Sequence, residues 1–141
     1  MPFELIERPI EISTRDFAPG SAGAVVTFEG LVRNVNEGRP VVALEYSAYP
    51  ELALKEGEKI LEEARQRFPL EAVKAVHRVG RLEIGDLAVW IAVASGHRGE
   101  AFEACRWIID EIKERVPLWK KEIYADGDSG WLRANPPKSP V

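Results

Sequence analysis

Two clusters of polar side chains in this sequence have the types and spacing to do chemistry. Ser95-Gly96-His97-Arg98 stands where an apolar run gives way to a helical pattern. Free backbone N–H groups and the helix dipole favour an anion at such a junction. Arg98 would clamp a phosphate or carboxylate in bidentate fashion, and His97 would add a donor or move a proton near neutral pH. A plain helix start with two solvated side chains explains the same residues. The second cluster is Lys113, Lys120 and Lys121, arranged around Pro117. Lys113 follows Ile112 and lies one turn after Ile109, so it borders an apolar stripe. A partly buried amine has a lowered pKa and serves as base, acid or nucleophile. A lysine that only complements a helix C-terminus is the alternative. Arg33 closes the strand pattern that carries Phe28, and Glu122 stands where it can orient a lysine. Each of the two charges is otherwise an ordinary surface group.

Other apparent signals carry less. Gly127-Asp128-Ser129-Gly130 looks like the nucleophile signature of chymotrypsin-like proteases, but those folds need two β-barrels with a histidine and an aspartate far upstream, and 141 residues do not supply them. It reads as a polar turn. Cys105 lies on an apolar helix face between Ala101 and Ile109, where a cysteine behaves as a small hydrophobe. A single cysteine forms no internal disulfide and no cysteine-based zinc site. The two histidines are twenty residues apart and one lies inside a strand, so no metal site is expected; no cofactor is expected.

Composition narrows the class further. With 19 basic and 23 acidic residues the net charge is −4, which argues against general nucleic-acid binding, since that needs a basic face to release counterions. No apolar run approaches the roughly 20 residues that span a bilayer, and the start lacks a basic stretch followed by an apolar one. No membrane and no nucleic acid are expected as partners, and the cytoplasm is the expected compartment. Hydrophobic residues at 45% and charged residues at 30% are globular values. The length fits one domain, read here as residues 1–134, followed by a Pro-rich tail over 135–141 that is expected to be flexible.

The elements that must position these groups follow from periodicity. An N-terminal strand is expected near Phe3–Ile12. Alternation over Gly23–Arg33 predicts another, Asn34–Pro40 reads as a loop, and Val41–Tyr49 resumes as a strand. Pro50 opens a helix whose buried face carries Ala53, Gly57, Ile60, Leu61, Ala64 and Phe68, and Pro69 ends it. Ala72–Val79 and Leu87–Ser95 are strands joined by a Gly80–Asp86 link, the second apolar on both faces as a central strand is. A second helix follows Gly96–Gly99, burying Phe102, Cys105, Ile109 and Ile112 with Ala101 and Ile108 beside them, and Pro117 stops it near Val116. A short strand over Trp119–Tyr124 completes an α+β domain, two helices on a mixed or largely antiparallel sheet.

Taken together, the ordered segments Gly23–Asn34 (GAVVTFEGLVRN), Leu44–Tyr49 (LEYSAY), His77–Leu82 (HRVGRL), Gly85-Asp86, Ser95–Arg98 (SGHR), Ala101–Ala104 (AFEA) and Pro117–Glu122 (PLWKKE) resemble the catalytic (large) subunit family of molybdopterin synthase. The resemblance implies an α/β hammerhead-type fold and a homodimer within a heterotetramer that includes two copies of a small ubiquitin-like sulfur carrier. The carrier's C-terminal Gly-Gly tail, as a thiocarboxylate, would enter a pocket and donate sulfur to cyclic pyranopterin monophosphate (precursor Z), two transfers building the dithiolene of molybdopterin. By motif, Lys113 and Lys120 correspond to the family's essential lysines, and Arg33, His97 and Arg98 to its anion pocket. Phe28 and Glu122 fall on positions that line or support the site. The segment from Gly130 to Asn135 matches only loosely, with Arg133 as a stand-in for a substrate-binding basic residue. A non-catalytic anion-binding or scaffold subunit of the same fold is the competing expectation.

Overall fold

The computed structural model describes residues 2–13 and 17–134; the expected Pro-rich tail, 135–141, lies outside them. In chain order the elements are β1 (Phe3–Ile6), β2 (Ala24–Leu31), β3 (Val35–Asn36), β4 (Arg39–Pro40), β5 (Ala43–Ala48), α1 (Pro50–Arg67), β6 (Leu70–Arg78), β7 (Gly80–Glu83), β8 (Leu87–Ser95), α2 (Arg98–Arg115), β9 (Leu118–Tyr124), β10 (Gly127–Asp128) and β11 (Leu132–Arg133). They build two principal sheets. The first has the order β1-β6-β8-β2, with β1 parallel to β6 and the other pairs antiparallel. The second has the order β10-β9-β5-β7, with β11 also on β9. The α+β expectation holds, as a pair of sheets.

β8 is the spine of the first sheet. Its residues from Ala88 to Ser95 are all buried, which its unbroken apolar sequence dictates for a strand covered on both faces. Both helices lie on one face, where Phe3, Ile60, Leu61, Ile91, Ile108 and Ile112 form the main core. Each such side chain contributes roughly 1.5–3 kcal/mol by leaving water. The other face holds Val76, Trp90 and Ala92 beneath Ile6, Ile10 and Phe17. α1 buries the expected Ala53, Gly57, Ile60, Leu61 and Ala64. Arg115 of α2 reaches across to Glu56 (3.0 Å) and Glu63 (2.6 Å) of α1, tying the two helices at one end.

Three local expectations need correction. Phe102 is exposed, because the buried stripe of α2 runs through Ala101, Ala104, Cys105, Ile108, Ile109 and Ile112 and leaves Phe102 one position off it. The Asn34–Pro40 loop contains a small hairpin, β3 with β4, turned by Glu37 and Gly38 at φ 50° and 78°; positive φ at both central residues suits a tight hairpin turn. The Gly80–Asp86 link contains β7, which pairs with β5 and so joins the second sheet.

Candidate active site

A cleft of about 160 Å³ opens where the two sheets meet the C-terminal end of α2. Phe28, Gly30 and Leu31 of β2, Tyr46 of β5, His77 of β6, Ala88 and Val89 of β8, Lys113 of α2, and Lys120 of β9 line it. The β2–β8 ladder shifts register between Gly30 and Leu31, at this same wall, and such irregularities re-aim side chains beside sites. Gly30 is required there: a Cβ would stand 2.6 Å from Val89 Cγ1 and 3.3 Å from the Phe28 ring.

The two expected catalytic lysines come together, one from each side of Pro117. Lys113 is exposed rather than partly buried, since its backbone lies on the outer side of the last turn of α2 and its side chain borders the cleft. Among the described residues no carboxylate lies within 4 Å of its amine. Lys120 is half-buried, with Nζ 3.4 Å from Glu122 Oε1. Lys121 points to the opposite side of β9, where strand alternation sends it. It is half-buried, not freely exposed, pairing with Glu45 at 3.1 Å and resting 4.9 Å from the Trp131 ring centre.

Glu122 itself is buried and stands behind the cleft wall. Burial alone would push its carboxyl up. The Tyr124 hydroxyl (2.6 Å), the Asn36 amide (2.8 Å) and the Lys120 ammonium outweigh burial and hold it below the usual carboxylate range. The β3–β4 hairpin thus supplies a brace for a site residue.

His77 and Tyr46 were not among the expected site residues. His77 is 94% buried and its ring meets Tyr46 edge-on, ring centres 4.9 Å apart. Its Nδ1 lies 2.7 Å from the Arg78 carbonyl oxygen. Burial, with a contribution from Lys113, drives the imidazole pKa down to about 4 against the pull of that hydrogen bond, so the ring is neutral. Burial and Glu122 raise the Tyr46 phenol. Both residues sit in segments quoted above, but alternation alone does not tell a strand's site-facing side from its core-facing side.

The expected anion trio does not assemble within one chain. Arg33 is exposed just beyond β2, at the cleft end of the first sheet. His97 and Arg98 are exposed at the start of α2, next to the other end of β2, where Ala24 pairs with Ser95. α2 carries the chain back across the sheet, placing Arg98 roughly 22 Å along the helix from Lys113. Arg133, in β11, lies opposite Trp119 of β9. Cys105 is buried and its thiol is pushed up to about 11 by burial, as expected of a core cysteine. Among the described residues no three His, Cys, Asp or Glu side chains converge in a way that would hold a metal ion.

Residues 5–115 match the family model described as MoaE protein. The chain is 43% identical over 135 residues to the molybdopterin synthase catalytic subunit of Pyrococcus abyssi, covering 93% of this chain and 90% of that one. It is 44% identical over 128 residues to the same subunit of Halalkalibacterium halodurans, covering 89% and 82%. Its backbone superposes on the crystal structure of molybdopterin synthase from Staphylococcus aureus with TM-score 0.87 at 40% identity, covering 94% and 97%. The same fold recurs, at TM-score 0.72 and 20% identity, in a complex of subunits 1 and 2 of molybdopterin-converting factor from Helicobacter pylori. The two-lysine cleft thus sits in a chain that belongs to the MoaE family.

Proposed function

We propose that the cleft lined by Lys113 and Lys120 is a slot for the C-terminal tail of a small carrier subunit, which hands over sulfur there. The chain carries the activity of its relatives: a molybdopterin synthase catalytic subunit, a sulfurtransferase of molybdenum-cofactor biosynthesis. The observation that supports the slot is its size. At about 160 Å³ it is well below the roughly 300–1,000 Å³ that encloses a drug-sized ligand. A side-chain-free Gly-Gly tail suits such a space better than a pterin with a cyclic phosphate.

Chemically, the tail arrives as an anion, and two ammonium groups attract it. Its thiocarboxylate sulfur attacks a carbon of precursor Z, forming a C–S bond as that carbon's C–O bond breaks, the oxygen leaving with the opened cyclic phosphate in one transfer and as water in the other. Water then cleaves the acyl–sulfur bond, so that sulfur stays on the pterin and the carrier leaves as a carboxylate. Lysine N–H groups stabilise the oxyanion that forms at the acyl carbon. A second carrier repeats the transfer.

The pterin phosphate then binds at the mouth of the slot, where Arg33 is available but His97 and Arg98 of the same chain are not. β2 is the outermost strand of its sheet and exposes Val25 and Leu31. Antiparallel apposition of two β2 strands about a two-fold axis brings Arg33 of one copy beside the partner's His97 and Arg98, because these groups flank opposite ends of the strand. A homodimer completes the anion site in this way, and two carriers make it a heterotetramer. Assaying molybdopterin formation from thiocarboxylated carrier and precursor Z tests the whole reading; carrier binding without turnover would leave only the scaffold alternative.

A further inference from the structure

We infer that His77 is a specificity residue for the peptide tail, accepting a hydrogen bond at Nε2 from the amide N–H of the tail's last residue. This rests on the proposal that the cleft receives that tail. The geometry begins with the tautomer. A carbonyl oxygen only accepts, so the 2.7 Å contact between His77 Nδ1 and the Arg78 carbonyl requires the proton on Nδ1. In the neutral ring Nε2 is then a lone-pair acceptor. No described residue donates to it, although His77 is a buried residue that forms part of the cleft wall. Among the described residues the sealed side-chain atoms without a partner are Arg78 Nε and Trp90 Nε1, so Nε2 of His77 is open to the cleft, where a ligand that brings a donor gains over one that does not.

The other groups in the cleft define that ligand. Lys113 and Lys120 offer only donors and suit the terminal carboxylate or thiocarboxylate. Nε2 cannot serve an anion, since two lone pairs would face each other. A peptide C-terminus supplies both halves: an anionic end group and, two bonds behind its carbonyl carbon, an amide N–H. A free small anion supplies only the first. His77 therefore separates a peptide tail from the phosphate and carboxylate metabolites that two lysines would otherwise collect.

The test uses the cognate carrier in its unactivated carboxylate form, prepared by ligation to end in Gly-Gly, in Gly-sarcosine, or without the two terminal residues. Sarcosine keeps the shape and removes the N–H. Calorimetric titration of the intact protein should show about tenfold weaker binding for the sarcosine carrier, the worth of one hydrogen bond. In His77→Leu the two full-length carriers should bind alike, and His77→Gln, which keeps an acceptor, should restore part of the difference. Protein labelled with ¹⁵N-histidine gives a readout that needs no substitution, because only two histidines are present. The His77 Nε2 resonance should move with the Gly-Gly carrier and stay put with the sarcosine carrier. Equal cost of N-methylation in wild type and His77→Leu, or an unmoved resonance, would overturn the inference. If truncating both glycines left affinity unchanged, the tail slot itself would fall; if truncation weakened binding while the cycle stayed additive, only the role of His77 would.

Discussion

Lys120 Nζ stands 3.4 Å from Glu122 Oε1, and the same carboxylate is fixed by Tyr124 and Asn36. One ammonium of the cleft is therefore aimed by a carboxylate that two further hydrogen bonds brace, while Lys113 is exposed at the mouth. This division of labour predicts that Glu122→Gln lowers turnover about ten- to a hundredfold, the equivalent of one charge-assisted hydrogen bond. Single-turnover assays would check it. Acid acts the same way: because the Glu122 carboxyl is held below its ordinary range, the stability it contributes is present above about pH 4.5 and disappears as pH falls through the lowered value. An unchanged rate for Glu122→Gln would show that Lys120 needs no guide.

Lys120 and Lys121 face opposite sides of β9, and Lys113 of α2 joins Lys120 at the cleft. Lys113→Ala and Lys120→Ala should each cost about 10²–10⁴ in rate with folding preserved, the range of a lost proton-transfer or oxyanion-stabilising group. Lys121→Ala, pointing away from the cleft, should keep its turnover and lose only the modest stability of its partly exposed pair with Glu45, about 0.2–1 kcal/mol. Thermal melts alongside single-turnover molybdopterin formation distinguish the two outcomes. Equal activity in all three variants would remove both lysines from the mechanism.

Cys105 offers a check on the absence of sulfur chemistry in this chain. With its thiol buried and pushed up to about 11, the thiolate fraction at neutral pH is small and attack on an aromatic disulfide reagent is slow. Labelling of the native protein should follow the rate of unfolding, and Cys105→Ala should retain full turnover. Rapid labelling with loss of activity would reopen the question of a sulfur relay through the protein.

Much of this fold is legible in residue order, and the exceptions have physical reasons. Pro50 and Pro69 bracket α1, Pro117 stops α2, and the apolar run of β8 marks the central strand. The second sheet is not legible. β7 is four residues with one buried apolar side chain, Leu82, and what makes it a strand is its pairing with distant β5. Of the site, the lysines and Phe28 meet as their motifs imply. Arg33 and Arg98 do not meet within one chain, because the eight-residue strand β2 separates the two ends of the sheet that they flank. His77 was invisible because its role comes from one backbone carbonyl that commits Nδ1.

The distance between Arg33 and Arg98 leads to a complementation test. Alone, Arg33→Ala and Arg98→Ala should each weaken precursor Z binding by roughly 1.5–3 kcal/mol, the cost of a charge-assisted contact. If the anion site is shared between copies, mixing the two variants under conditions that exchange protomers forms hybrid dimers in which one site has lost both groups and the other has kept both. Activity should then rise toward half the wild-type value per hybrid dimer. If the residues serve separate sites on one chain, mixing restores nothing. A double variant mixed with wild type is the control, since every site of its hybrid lacks one group and stays weak.

The last prediction concerns His77 and acid stability. Its pKa is about 4 in the folded chain against an ordinary 6.5, with burial as the main cause and Lys113 of α2 as a smaller one; Tyr46 of β5 and the Arg78 carbonyl of β6 are its other close neighbours. The unfolded chain thus binds a proton that the folded chain refuses between these two values. Stability is fully present above about pH 6.5 and falls as pH drops toward 4, by an amount corresponding to roughly 3 kcal/mol. Denaturant titrations from pH 7.5 to 4 should show that loss in the wild type. His77→Gln, with no proton to take up, should lose that much less over the same range, while its stability at pH 7.5 reports the separate cost of replacing a packed ring. Parallel pH profiles for the two proteins would mean that the imidazole titrates normally, and the neutral acceptor in the cleft wall would be lost with it.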